Sequence, residues 1–235
     1  MHAVIAALAR HAASRPAHAA LSDGLHSMPY AAVYAAVTRA ALGLRGTAAA
    51  TVALALDNGP AWTILDLATL AARLCCVPVP GFFSASQQTH LVADAGVDLL
   101  ITDRPAHYAE LLAAGGLSFT RLTPIDTAGA RFARFRIQHD ARGVPAHTAK
   151  ITYTSGTTGA PKGACLDGNA LAQVAHSLMQ AVGLRAADRH LSLLPLAALL
   201  ENVGVYATLL AGGTCIAPAL AAVGMRGAAE VDCER

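Results

Sequence analysis

Short apolar runs, separated by helix-length segments with their own start and stop signals, set the tightest limit on how this chain folds. The runs are 51–56 (TVALAL), 75–79 (CCVPV), 97–102 (VDLLIT) and 150–154 (KITYT). Each is the length of a buried strand and too short for a stable helix. Between them, apolar residues recur at helical spacing. Ser27 and Pro29 predict a helix through Ala40 that stops near Gly43, Asn58-Gly59-Pro60 opens another through Arg73, and Ser84 or Ser86 opens a third ending at Gly96. These residues suit helix ends: a Ser side chain accepts a first-turn N–H, Pro at the first position sacrifices no bond, and Gly closes the last turn. The alternation resumes further on. Asp167 is placed to cap a helix to Val182, 191–194 (LSLL) reads as a strand, Leu199 to Leu210 as a helix, and 214–217 (TCIA) as a strand. Strands this apolar need cover on both faces, so the pattern predicts an α/β fold with a mostly parallel βαβ sheet flanked by helices.

The chain has 235 residues and 54% hydrophobic content, enough to bury a substantial core. Residues 1–235 are read as one partial domain, with a possible subdomain junction at 123–149, where the alternation breaks down. Within that stretch Arg131, Phe132, Arg134, Phe135 and Arg136 interleave cations with aromatics. A run this short reads as a half-buried rim strand with solvated arginines rather than a nucleic-acid tract. A formal net charge of +2, with basic residues scattered, likewise argues against a nucleic-acid partner. The five cysteines lack C-x-x-C spacing and lie mostly in apolar runs, which reads as reduced thiols in a cytoplasmic protein. Ala3 to Ala9 has no lysine or arginine ahead of it and reads as the start of an amphipathic helix rather than a signal peptide. Gly212-Gly213, Thr214 and Pro218 interrupt the uncharged stretch 203–225, so helix, turn and strand are expected there and no membrane span. The ten histidines form no H-E-x-x-H and no i, i+4 pair, and are read as structural or surface groups.

The segment Ile151 to Gly163, ITYTSGTTGAPKG, carries the chemistry. Its glycines let backbone N–H groups approach an anion, the hydroxyls of Ser155, Thr157 and Thr158 add donors, and Lys162 supplies a compact positive charge. Of 17 basic residues only Lys150 and Lys162 are lysines, so a lysine in this loop suggests a role that a guanidinium fills poorly. The loop is not a P-loop of the G-x-x-x-x-G-K-[ST] kind, because Pro161 stands where the second glycine belongs and Gly163 follows the lysine. No G-x-G-x-x-G or G-x-S-x-G occurs, which removes a dinucleotide fingerprint and a hydrolase elbow. Glu201 and Asn202, in the apolar segment LPLAALLENVGVY, are read as satisfying a helix terminus, with a place in the pocket as the alternative.

Thr154 to Gly163, TSGTTGAPKG, resembles the phosphate loop of the AMP-forming (adenylate-forming) acyl-CoA synthetase and ligase superfamily. The segments 51–80 and 192–218 are similar to that family's strand, N-x-P turn, helix and V-P strand, and to its segment after the loop. The resemblance covers most of residues 1–218. It implies the N-terminal part of the adenylate-forming fold, and an activity in which a carboxylate attacks the α-phosphorus of ATP to give an acyl-adenylate that a thiol, usually coenzyme A, captures. It further implies that Thr154, Ser155, Gly156, Thr157, Thr158 and Gly159 wrap the β- and γ-phosphates, that Lys162 neutralises them, that Mg²⁺ is required, and that the acid is a fatty or other organic acid. The family's aromatic-Gly-x-Thr-Glu motif, its ribose-binding aspartate and its C-terminal domain with the catalytic lysine have no counterpart in the sequence. No catalytic residue is therefore assigned, and the 235-residue chain is expected to show no complete ligase turnover. The alternative is an inactive fragment with residual phosphate binding or an interaction role. Ala197-Ala198 also departs from relatives, which often carry a bulky aromatic or histidine there.

Overall fold

A computed structural model describes residues 2–139, 143–154, 160–226 and 230–231, with only the backbone at 226, 230 and 231. The chain opens with α1 (Ala3–Ser14), capped by the His2 side chain, and passes through β1 (Ala19–Ser22) and β2 (Ser27–Pro29) into α2 (Tyr30–Arg45). Three βα units follow: β3 (Thr51–Ala55) with α3 (Pro60–Ala72), β4 (Cys75–Pro78) with α4 (Ala85–Asp94), and β5 (Leu99–Thr102) with α5 (Pro105–Ala114). A hairpin of β6 (Ser118–Thr127) and β7 (Ala130–Gln138) precedes β8 (Thr148–Thr154) and β9 (Lys162–Asp167). Then come α6 (Gly168–Ala181), β10 (Arg189–Leu191), α7 (Leu199–Ala211) and β11 (Thr214–Ile216).

Seven strands form the larger sheet in the order β6-β7-β5-β3-β4-β8-β9. Its centre, β5-β3-β4-β8, is parallel, as the βα repeat dictates. Both flanks are antiparallel, through the β6–β7 hairpin and through β9. The second sheet, β10-β11-β1-β2, places β1 parallel to β11, so residues from opposite ends of the chain share a ladder.

Alternation along the central strands assigns each residue to one of two cores. Val52, Leu54, Cys76, Leu99 and Ile101 face a core that takes in residues of α1, α2, α3 and α7 and of the second sheet. Ala53, Ala55, Cys75, Val77 and Leu100 face a smaller core closed by α4 and α5. Sandwiched this way, α3 and α7 are buried almost all round, which explains their near-continuous apolar sequence. The basic-aromatic stretch around 131–136 is β7, with Phe132, Phe135 and Ile137 buried. Among the described residues no helix is long and apolar enough to cross a membrane; Val203 to Met225 divides into most of α7, β11, a short 3-10 turn (Leu220–Val223) and one strand residue. Cys75, Cys76 and Cys215 are buried and Cys165 is exposed, while Cys233 lies outside the described residues.

Candidate functional site

The glycine-rich loop joins β8 to β9, and its flanking residues Thr154 and Lys162 are direct cross-strand partners. Both side chains are exposed at the carboxyl end of β8, which runs parallel to β4. Ligands in open α/β sheets gather at this edge, where strand ends and helix N-termini converge. Gly163 is tightly packed: a Cβ there would lie 2.8 Å from Tyr153 Cζ and 2.9 Å from Ile151 Cγ2, so any larger residue has to push those side chains aside. One face of α4 holds both ends of the loop. Tyr153 Oη donates to Asp94 Oδ2 at 2.7 Å, and His90 Nε2 donates to the Pro161 carbonyl at 3.1 Å. Burial, reinforced by the Asp94 carboxylate, pushes the Tyr153 hydroxyl far up, so it stays a proton donor. His90 and Asp94 are four apart on α4, a spacing visible in the sequence, although nothing in it names their target.

Beneath the loop, β8 is fastened by a buried polar cluster that sequence reasoning missed. Lys150 Nζ donates to Asp66 Oδ1 of α3 at 2.7 Å, to Tyr206 Oη of α7 at 3.2 Å, and to Asn202 Oδ1 of α7. Asp66 Oδ2 accepts from Asn202 Nδ2 at 3.0 Å and from Tyr206 Oη at 2.6 Å. Lys150 is 1% exposed and Asp66 fully buried, so the pair survives only because every donor of the ammonium has an acceptor. Burial pushes the Asp66 carboxyl up, but the Lys150 charge and the donors of Lys150, Tyr206 and Asn202 outweigh it and hold it below the usual carboxylate range. Asn202 thus belongs to this cluster. Its neighbour Glu201 binds His190 Nε2 at 2.9 Å and accepts the Leu194 N–H, and neither residue lines the cavity described next. The available signal was a charged pair, Asp66 and Lys150, inside apolar runs.

A cavity of about 830 Å³ opens at the same carboxyl edge. Leu56 to Asn58 after β3, Val79 to Phe82 after β4, and Asp103 and Arg104 after β5 form one wall; Pro195, Ala197 and the 220–225 segment form the other. Asn58 holds the walls together, donating from Nδ2 to the Leu194 carbonyl at 2.9 Å and accepting the Leu196 N–H at 2.8 Å. The two carboxylates of the rim are engaged by backbone: Asp103 Oδ2 accepts Asp57 N–H, and Asp57 Oδ1 accepts Asn58 and Leu220 N–H. Arg104 lies over the Tyr108 ring, 5.5 Å from its centroid, and is the one cationic side chain on this lining. Helices α3, α5 and α7 all start at this edge without a side-chain cap, leaving first-turn N–H groups directed toward it.

Of the sequence-assigned phosphate residues, Thr154 and Lys162 are brought face to face. Ser155, Gly156, Thr157, Thr158 and Gly159 lie outside the described residues. Among the described residues no cluster of three or more His, Cys, Asp and Glu is placed to hold a metal ion.

Comparison with known proteins adds the family. Feruloyl-CoA synthase of Amycolatopsis sp is 31% identical over 213 residues, 88% of this chain and 42% of that protein. The L-proline--[L-prolyl-carrier protein] ligase of Streptomyces coelicolor is 31% identical over 181 residues, 70% of this chain and 33% of that protein. The chain spans only 1% of a third relative, FR901469 synthetase of Dothideomycetidae sp., so it covers less than half the length of each. Among solved structures, the inhibitor-bound N-terminal domain of FACL13 from Mycobacterium tuberculosis superposes with a TM-score of 0.71 at 22% identity, covering 92% of this chain and 57% of that one. O-succinylbenzoate coenzyme A synthetase from Bacillus subtilis, in complex with ATP and magnesium ion, gives 0.67 at 22%, covering 89% and 56%. The fold of these chains is the fold described above. With the AMP-binding enzyme family matching residues 8–229, this chain belongs to that adenylate-forming family.

Proposed function

We propose that the chain supplies the triphosphate-holding part of an ATP-dependent acid ligase, in which a carboxylate is activated as its acyl-adenylate and then passed to a thiol. The observation that carries this reading is the position of the loop: Thr154 and Lys162 face each other at the carboxyl end of β8, beside the cavity at the ends of β3, β4 and β5. The donor set fits a polyphosphate. A threonine hydroxyl and an ammonium flank the turn, and the residues on either side of it, Tyr153 and Pro161, are tied to α4. Lys162 would meet the β- and γ-phosphates and stabilise the negative charge that grows on pyrophosphate as it leaves. The residues Ser155 to Gly159 would add backbone and hydroxyl donors. Mg²⁺, when bound, supplies further charge neutralisation on the phosphates.

The neighbouring cavity suits an amphipathic partner that carries phosphate. Its lining is largely apolar, with Arg104 as the one cation beside the Asp57 and Asp103 carboxylates, and α3, α5 and α7 begin at the same edge without side-chain caps. We assign it to the thiol acceptor, coenzyme A in this reading, with the organic acid approaching between cavity and loop. The buried Cys75, Cys76 and Cys215 thiols, with burial pushing Cys75 and Cys215 up to about 12, are consistent with a cytoplasmic setting.

Calorimetric titration of the 235-residue chain with MgATP tests the loop. Replacing Lys162 with Ala removes a charge-assisted hydrogen bond worth about 1.5–3 kcal/mol, so affinity is expected to fall by about tenfold or more. Equal ATP affinity in Lys162→Ala would overturn the assignment. Carboxylate-dependent ATP–pyrophosphate exchange across a panel of aliphatic and aromatic acids, run on the chain joined to the C-terminal part of a relative, then identifies the acid.

A further inference from the structure

A second cavity, of about 580 Å³, lies at the opposite edge of the larger sheet. It opens where β8 begins, at His147 to Ala149, whereas the loop leaves the far end of that strand, about 20 Å away at the rise of a strand. Its floor is apolar: Ile5 of α1, Val37 and Ala41 of α2, and Leu70 of α3, all buried. Its lining carries two cations, Arg45 and Arg73, and the imidazole of His147. Arg45 also donates to the Ala71 carbonyl, tying α2 to the end of α3. Asp167 is the one carboxylate on the lining, and its Oδ1 is occupied by the Asn169 and Ala170 N–H groups that begin α6.

The backbone at this rim is the second observation. Four non-glycine residues of the described chain adopt positive φ, and two of them, Arg73 at 61° and His147 at 67°, line this cavity. At Arg73 the left-handed conformation ends α3, a position that glycine fills without strain. Two residues held against their backbone preference on the lining of one cavity are the pattern expected when a site serves a ligand.

We propose that this cavity binds a small amphipathic monoanion, its apolar body on Ile5, Val37 and Leu70 and its anionic head between Arg73, His147 and Arg45. The site is separate from the loop and independent of the ligase reading. The ligand class is a carboxylate with a short aliphatic or aromatic tail.

Octanoate is the probe, titrated into the 235-residue chain by calorimetry, with octanol as the neutral control and acetate as the tail-less one. Octanoate is expected to bind and both controls to fail, and Lys162→Ala is expected to leave that binding unchanged. Arg73→Gly removes the cation and relieves the strained backbone together, so it should raise Tm by about 2–4 °C while weakening octanoate by about tenfold or more. No octanoate binding to the wild-type chain, or unchanged affinity in Arg73→Gly, would overturn the proposal. Should Arg73→Gly lower Tm, His147→Gly becomes the deciding variant: loss of octanoate there supports the site, and unaltered affinity removes it.

Discussion

At the scale of single residues, the most consequential group is the Lys150 ammonium. Removing one partner of a buried ion pair strands the other, at a cost of about 3–5 kcal/mol. Lys150→Met is therefore expected to lower unfolding stability in urea at neutral pH by that amount. Pairing it with Asp66→Asn should recover most of the loss, because the amide still accepts from Tyr206 without a charge. A single variant within 1 kcal/mol of wild type, the scale of an exposed pair, would mean that the cluster contributes little. His2 and His11 give a pH dependence. His2 Nδ1 accepts the Val4 N–H while Nε2 donates to the Gly168 carbonyl at 2.8 Å, so both ring nitrogens are committed in the neutral form. His11 is similarly held between Arg15 Nη2 and the Leu210 carbonyl. Burial lowers both values, aided for His11 by Arg10 and Arg15. The unfolded chain takes these protons first, near the ordinary histidine value of about 6.5, so stability is complete above that pH and declines as pH falls through the lowered folded values. Replacing His2 by Asn, a good N-cap that does not titrate, should flatten part of that decline in Tm between pH 7 and 5.

At the scale of elements, the helices with local signals are where the sequence places them. Ser84 forms a full capping box with Gln87, and Asp167 caps α6 through Asn169 and Ala170. The β6–β7 hairpin falls partly in the stretch read as an irregular junction, for a specific reason. Its turn is Ala128-Gly129, with φ of 50° and 75°, the backbone of a type I′ turn with alanine where Asn or Asp usually signals it. Likewise β10 ends at Leu191, short of the expected 191–194 strand, because Asn58 and Glu201 take the backbone groups of Leu194 and Leu196 out of any ladder. Ser27 and Pro29 form β2 rather than opening the helix, which starts at Tyr30. The hairpin carrying the loop yields its own prediction. Gly163→Ala drives a methyl into Tyr153 and Ile151, and overpacking of this kind costs about 1–3 kcal/mol. Hydrogen exchange should quicken across β8 and β9 in that variant while α5 keeps its protection; equal protection in both hairpin strands would contradict the tight closure.

At the scale of the whole molecule, the second sheet joins β1 and β2 near the N-terminus to β10 and β11 from the last third of the chain. β1 lies between β11 and β2, and Val4 and Leu8 of α1 are fully buried in the larger core. Deleting residues 1–22 would strip both and expose the β11 edge, so the shortened chain is expected to elute as aggregate in size-exclusion chromatography. A monodisperse, cooperatively folding product would show that α1 and β1 are dispensable. By itself the sequence determined the alternation of strands and helices, most helix ends and the glycine-rich loop that carries the family resemblance, because caps, turns and apolar periodicity act within a few residues of each other. Tertiary structure alone decided the Asp66–Lys150–Asn202–Tyr206 cluster, the α4 clamp on the loop and the two cavities at opposite strand ends. In the cluster and the clamp the hydrogen-bonded partners stand 52 to 140 positions apart, and their proximity depends on how the two sheets close around α3 and α7.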